Sequence, residues 1–133
     1  MLYIHGGGFI GGTPRTYINV SAQLAKKLRA DIYIIEYPLS PEQPFPAAVN
    51  HCFDAYQYLL NFKKDPKKIV IMGDSAGGGL TLSTLLKIRD NALPCPRKGC
   101  TSCLAGDGPI CSRVKQGSQH SDRIYTRKDA TNT

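Results

Sequence analysis

Gly73-Asp74-Ser75-Ala76-Gly77 sets one serine between two glycines, each two residues away. The stretch follows the apolar run Lys68-Ile69-Val70-Ile71-Met72 and precedes a helical pattern, so G-x-S-x-G here reads as a serine presented at a sharp strand-to-helix turn for covalent attack. Flanking glycines fit such a turn, because a Cβ on either side would collide with the neighbouring strand or helix. A serine opening a helix also has backbone N–H groups and the positive end of the helix dipole aimed at the reacting centre. The second chemical stretch is His5-Gly6-Gly7-Gly8-Phe9. Three successive glycines let the backbone approach a ligand and point N–H groups into a cavity. A tetrahedral intermediate needs two or three such donors for its oxyanion, and losing one costs about 2.7–4 kcal/mol. A flexible loop and a phosphate cradle are the other readings; no Gly-Lys-Ser/Thr follows, which disfavours a P-loop.

These stretches sit at the ends of predicted strands. Leu2–His5 is a short apolar strand running into the glycines. Thr16–Arg29 carries Ile18, Ala22, Ala25 and Leu28 at helical spacing, and Asp31–Glu36 is rich in β-branched residues, as a buried strand requires. Pro38–Pro46 holds four prolines and cannot be regular structure. Helical periodicity resumes over Ala47–Phe62 through Val49, Phe53, Tyr56 and Leu60. Ile69–Met72 is a third strand, and Ala76–Ile88 a helix with Leu82, Leu85 and Leu86 on one side. Alternating strands and helices imply a parallel sheet with right-handed crossovers, an α/β fold.

The pattern stops near Leu93. Residues 94–133 show no period, and Leu104, Ile110, Val114 and Ile124 are their only Leu, Ile, Val or Phe residues. So polar a segment buries too little to order itself, so 1–93 reads as the folded domain and 94–133 as a disordered tail. At 133 residues, 41% hydrophobic and 20% charged, the chain has room for one globular domain. No apolar run approaches the ~20 residues needed to cross a bilayer. The net charge of +7 is spread over both halves, +3 in 1–93 and +4 in 94–133. Its densest basic stretch, Lys63–Lys68, falls at a turn, and no aromatics interleave with it, so nucleic acid is not an expected partner. MLYIHGGG lacks a signal-peptide pattern, and five cysteines without one do not argue for disulfides; the expected compartment is the cytoplasm.

HGGGF at the first strand end, followed after one strand and two helices by GDSAGG, resembles the hormone-sensitive-lipase-like branch of the α/β-hydrolase fold, which includes carboxylesterases and arylacetamide-deacetylase-like enzymes. Glu36–Ala48 (EYPLSPEQPFPAA) resembles that family's segment after its next strand, with Glu36 where an aspartate is more usual. The resemblance covers about residues 2–93. It implies a partial α/β-hydrolase fold of three adjacent parallel strands with flanking helices. It makes Ser75 the nucleophile and the N–H groups of Gly7, Gly8 and Ala76 the oxyanion hole. His5 and Gly6 then shape the glycine loop, and Gly73, Asp74 and Gly77 belong to the elbow, so Asp74 is not the triad acid. The implied activity is hydrolysis of a small-molecule carboxylic ester through an acyl-serine, with no metal or organic cofactor.

The family brings its triad acid and histidine on later loops, each after a further strand. After Leu93 no strand is visible, and His120 with Asp107, Asp122 or Asp129 are the remaining candidates, none in a family-like context. His120 reads as a solvated side chain and His51, beside Cys52, as a helix-face residue. Nucleophile and oxyanion hole are therefore expected without base and acid, and the chain with little or no activity. With only Met1–Ile4 ahead of His5-Gly6-Gly7-Gly8, both ends read as incomplete: a fragment, a truncated gene model or a splice product. Two alternatives come from other classes. One is a non-catalytic hydrolase-derived fragment that binds esters or proteins. The other is a zinc site built on Cys95, Cys100, Cys103 and Cys111 with His120, which has one C-x2-C pair and lacks the second. Acyl and alcohol preference and oligomeric state are not legible.

Overall fold

A computed structural model describes residues 1–63, 65–102 and 109–112. Its elements are β1 (Leu2–Ile4), α1 (Ile18–Leu28), β2 (Tyr33–Ile34), α2 (Ala47–Lys63), β3 (Val70–Asp74), α3 (Ala76–Asp90), β4 (Lys98–Ser102) and β5 (Pro109–Ser112). Short 3-10 turns, each with proline at its first position, lead into α1 (Pro14–Tyr17) and β3 (Pro66–Lys68). One sheet runs in the order β2-β1-β3-β4-β5. The first four strands are parallel and β5 returns antiparallel. Leu2 pairs with both Tyr33 and Ile71, and Ile4 with Gly73, so β1 and β3 lie side by side at the centre.

The order of strands decides where a site can form. From β1 the chain crosses to β2 on one side; from β3 it crosses to β4 on the other. Right-handed crossovers in opposite directions put α1 on one face and α2 with α3 on the other. Between the C-terminal ends of β1 and β3 the two connections diverge and leave a crevice, the topological switch point at which open α/β sheets bind ligands. The glycine loop leaves β1 there, and Gly73–Gly77 leaves β3 there.

The core lies between the sheet and the α2–α3 layer. Leu2, Ile4 and Ile71 from the strands meet Cys52 and Tyr56 from α2 and Leu80, Leu85 and Ile88 from α3, all buried. Burial holds the Cys52 thiol up at about 12, an inert thiol. The buried face of α3 differs from the one that apolar spacing suggested. Leu85 is buried, but Leu82 and Leu86 are 49% and 43% exposed, while Thr81 and Thr84 face inward. Thr81 can be buried because its hydroxyl donates to the Gly77 carbonyl at 2.8 Å. Among the described residues no helix is long and apolar enough to cross a membrane.

The three adjacent parallel strands form as expected, but the absence of any strand after Leu93 is corrected. β4 and β5 both fall within 94–133, the stretch read as a disordered tail. Their sequences, KGCTS and PICS, carry no apolar alternation, because β4 is held chiefly by its ladder along β3, from Val70↔Lys98 to Asp74↔Ser102. Gly99 supplies the packing by omission. A Cβ there would stand 2.2 Å from Leu85 Cδ1, so the bare backbone receives the leucine of α3.

Candidate active site

Ser75 occupies the junction of β3 and α3 with φ 50° and ψ −121°, a backbone state that non-glycine residues adopt at a cost of about 1–3 kcal/mol. The turn is this tight because Gly73 and Gly77 let strand, helix and neighbouring strand close on each other. A Cβ on Gly77 would lie 2.0 Å from the Ile4 carbonyl oxygen, and one on Gly73 2.2 Å from that of Gly77. The Ser75 carbonyl opens α3 by accepting from the N–H groups of Gly78 and Gly79 at 2.9 and 3.3 Å. Its side chain does not cap the helix, as an N-terminal serine ordinarily does, because the positive φ turns it away.

The glycine loop comes directly against this turn. Gly6 N–H donates to Asp74 Oδ1 at 3.1 Å, and a Cβ on Gly6 would be 3.2 Å from Ser75 Cβ. Beyond it Gly7 and Gly8 both have positive φ, 132° and 65°, and the Gly7 carbonyl accepts from Ile10 and Gly11 N–H to close the turn. Among the described residues neither the Gly7 nor the Gly8 N–H donates a hydrogen bond.

Asp74 binds three partners at once. Oδ1 accepts from Tyr3 OH at 2.9 Å as well as from Gly6 N–H, and Oδ2 accepts from Tyr17 OH at 3.2 Å. One carboxylate thus ties β1, the glycine loop and the turn before α1 to the end of β3. Burial first, then the hydrogen bond to Asp74, drives the Tyr3 hydroxyl well above its usual pKa; burial and the Asp74 charge raise Tyr17. His5 is buried and stacks between Tyr37 (centroids 4.4 Å apart) and Tyr17 (5.6 Å). Its Nδ1 lies 2.8 Å from the Gly6 carbonyl, which can only accept, so Nδ1 is the donor, while Nε2 is buried without a hydrogen-bond partner among the described residues. Tyr37 OH donates to the His5 carbonyl at 2.8 Å, and burial raises its pKa to about 12.

Of the residues singled out from sequence, His5, Gly6, Gly7, Gly8, Gly73, Asp74, Ser75, Ala76 and Gly77 gather at the switch point. His51 does not join them; it is exposed on α2. His120, Asp107, Asp122 and Asp129 lie outside the described residues. The tail cysteines divide. Cys100 and Cys111 are register partners across β4 and β5, Cys95 is half-buried, and Cys103 lies outside the described residues. Among the described residues no three His, Cys, Asp or Glu side chains cluster as metal ligands. Sequence reasoning missed Tyr3, Tyr17 and Tyr37. The available signal was Tyr3 itself: a phenol inside the buried strand Leu-Tyr-Ile must find a partner for its hydroxyl.

The raised tyrosines make a pH prediction. Folded-state pKa values above the ordinary value of 10 mean stability fully present below about pH 10 and lost as pH rises through the folded values. The urea midpoint of the chain should fall above pH 10, and Tyr3→Phe should make that fall shallower. An unchanged alkaline slope in Tyr3→Phe would show that folding does not hold the Tyr3 hydroxyl above its ordinary pKa.

Sheet order, switch point and strained serine are in keeping with the α/β-hydrolase fold. The chain belongs to the alpha/beta hydrolase fold family, which matches residues 1–131. It is 33% identical over 123 residues to the acetyl-hydrolase of Streptomyces hygroscopicus, covering 92% of this chain and 40% of that protein. To the hormone-sensitive lipase of Homo sapiens it is 36% identical over 91 residues, covering 65% and 8%. Among solved structures, a hormone-sensitive lipase from a metagenome library superposes with a TM-score of 0.70 at 48% identity, covering 71% of this chain and 33% of that one. EstE5, in a crystal soaked with p-nitrophenyl butyrate, superposes with a TM-score of 0.73 at 40% identity, covering 75% and 34%. Its relatives are thus esterases and lipases, and the chain spans two-fifths or less of the length of each of these.

Proposed function

We propose that residues 1–93 carry the nucleophile and oxyanion hole of a serine carboxylic ester hydrolase. The observation behind this is the strained Ser75 backbone facing the glycine loop at the switch point. In this reading Ser75 Oγ attacks the carbonyl carbon of a small ester as its proton leaves to a base. The carbonyl oxygen becomes an oxyanion held by the N–H groups of Gly7, Gly8 and Ala76. Collapse breaks the bond to the alcohol, which leaves with a proton, and water then releases the acid from the acyl-serine. No metal or organic cofactor enters these steps. His5 and Asp74 position the glycine loop: His5 is held in the tyrosine stack and Asp74 bonds the loop itself.

Turnover by residues 1–133 alone is proposed to be little or none. Both histidines among the described residues are committed elsewhere, His5 in the tyrosine stack and His51 on the exposed face of α2. The same observations support a second reading, a hydrolase-derived domain that binds esters without turning them over. The test is hydrolysis of p-nitrophenyl butyrate by the purified chain beside Ser75→Ala. Equal rates are expected. Turnover that vanishes in Ser75→Ala would keep the nucleophile and overturn the inactivity.

A further inference from the structure

At the opposite end of the sheet, where β1, β2 and β3 begin, lies a recess of about 290 Å³ walled by Asp31, Tyr33, Leu59 and the cations Arg29, Lys63 and Lys68. Helices α1 and α2 both end there, so Arg29 and Lys63 answer the negative poles of their dipoles. That account does not reach Lys67 and Lys68, exposed on the turn before β3. Nor does it reach Arg97, exposed and tied to the same turn by its N–H, which donates to the Ile69 carbonyl at 2.8 Å. Among the described residues, five cations thus gather against two carboxylates, Asp31 and Asp65, each paired with one lysine at 3.1 and 3.9 Å. A surplus of this kind draws an anionic partner.

An exposed apolar face adjoins the cations. Tyr58 and Phe62, one turn apart on α2, are 68% and 61% exposed, and their rings lie 3° from parallel with centroids 6.4 Å apart. Two large rings left in water beside basic residues mark a surface that meets something apolar. Lys63 joins the two features: its Nζ lies 5.1 Å from the Phe62 centroid and 5.6 Å from that of Tyr33 in the recess wall. Rings at the headgroup level and cations on the phosphates are the two components that hold a protein to an anionic lipid surface. Single-stranded nucleic acid calls instead for rings spread along a groove, whereas these two stand together on one helical turn.

We propose that this end of the sheet is a docking surface for an anionic phospholipid membrane. Tyr58 and Phe62 enter the headgroup region, and Arg29, Lys63, Lys67 and Lys68 hold lipid phosphates at the recess. Ser75 follows the far end of β3, five residues and roughly 16 Å away at ~3.3 Å per residue. The docked chain therefore turns its switch-point crevice away from the bilayer. The surface does not depend on the ester-hydrolase reading of Ser75; on that reading, the esters arrive from solution and not from the membrane.

The test mixes the full chain with vesicles of phosphatidylcholine, alone or with about one-third phosphatidylserine. Co-sedimentation is expected with the anionic vesicles and not with phosphatidylcholine alone. Lys67→Gln with Lys68→Gln should weaken it about fivefold for each lysine lost. Arg127→Gln with Lys128→Gln removes the same charge elsewhere in the sequence and should change it little. Phe62→Ser, at an exposed position and without change of charge, should weaken it roughly tenfold. Tyr58→Ser should act in the same direction if the first variant does not fold. The sequence has no tryptophan, so Phe62→Trp makes a single reporter. Its emission should shift to the blue on binding and be quenched by lipids brominated near the headgroup end of their acyl chains. Ser75→Ala should bind like the parent, so failure of this surface and failure of the hydrolase reading are separable. Bound Phe62→Trp protein with unshifted emission, or equal losses from the two charge variants, would overturn the proposal. So would tighter binding to a single-stranded oligonucleotide than to the vesicles, or a blue shift that follows protein concentration without vesicles. Nucleic acid or a second copy would then be the partner.

Discussion

Gly77→Ala and Gly79→Ala, the same substitution two residues apart in one helix, are expected to change stability in opposite directions. At Gly77 the new methyl would stand 2.0 Å from the Ile4 carbonyl oxygen and 2.7 Å from that of His5. Both are backbone atoms at the end of the central strand, which cannot move without separating β1 from β3. Overpacking in a core ordinarily costs 1–3 kcal/mol, and with rigid backbone as the obstacle about 3 kcal/mol or more is expected. At Gly79 the methyl meets only Phe9 Cζ, at an ordinary 3.9 Å, and alanine improves helix propensity by up to about 1 kcal/mol. Urea unfolding should therefore show the midpoint falling for Gly77→Ala and rising for Gly79→Ala. Equal effects would mean that α3 does not press on β1 as described.

Asp74→Ala is expected to be the next most damaging change. It leaves the Tyr3 hydroxyl and the Gly6 N–H buried without their acceptor and removes the tie to Tyr17. Orphaned buried groups cost about 1–3 kcal/mol each, so a loss of about 3 kcal/mol is expected. Asp74→Asn keeps an acceptor oxygen and should lose less. A double-mutant cycle separates this account from simple loss of packing. In the Asp74→Ala background, Tyr3→Phe removes an already orphaned hydroxyl and should cost little or even restore stability. Additive losses would show that the two residues are not partners. Because Asp74 holds Gly6, the amide signals of Gly7 and Gly8 should also shift in Asp74→Ala.

Residue types and local spacing were enough to place three strands, three helices and the two stretches that meet at the crevice. Glycine has no side chain to disguise its purpose: three in a row after a strand, or one on either side of a serine, leave few backbone roles open. Hydrophobic runs such as Ile69–Met72 declare a central strand, in which Ile69 and Ile71 are buried and Val70 and Met72 half-buried.

What lay beyond the sequence was everything set by a distant partner. β4 forms from KGCTS because β3 offers it a ladder and Leu85 offers it a lid, neither of which leaves a mark on those five residues. Leu82 and Leu86 point outward while Thr81 points in, because the position of the sheet, not side-chain hydropathy, chooses the face. Asp74 read as a signature residue of the elbow; only folding, which brings residues 3, 6 and 17 to position 74, makes it the carboxylate that fastens the glycine loop to the serine turn. A backbone that must turn tightly writes glycine into the sequence, whereas a hydrogen bond between residues some seventy apart writes only a tyrosine and an aspartate, and their partnership exists in three dimensions alone.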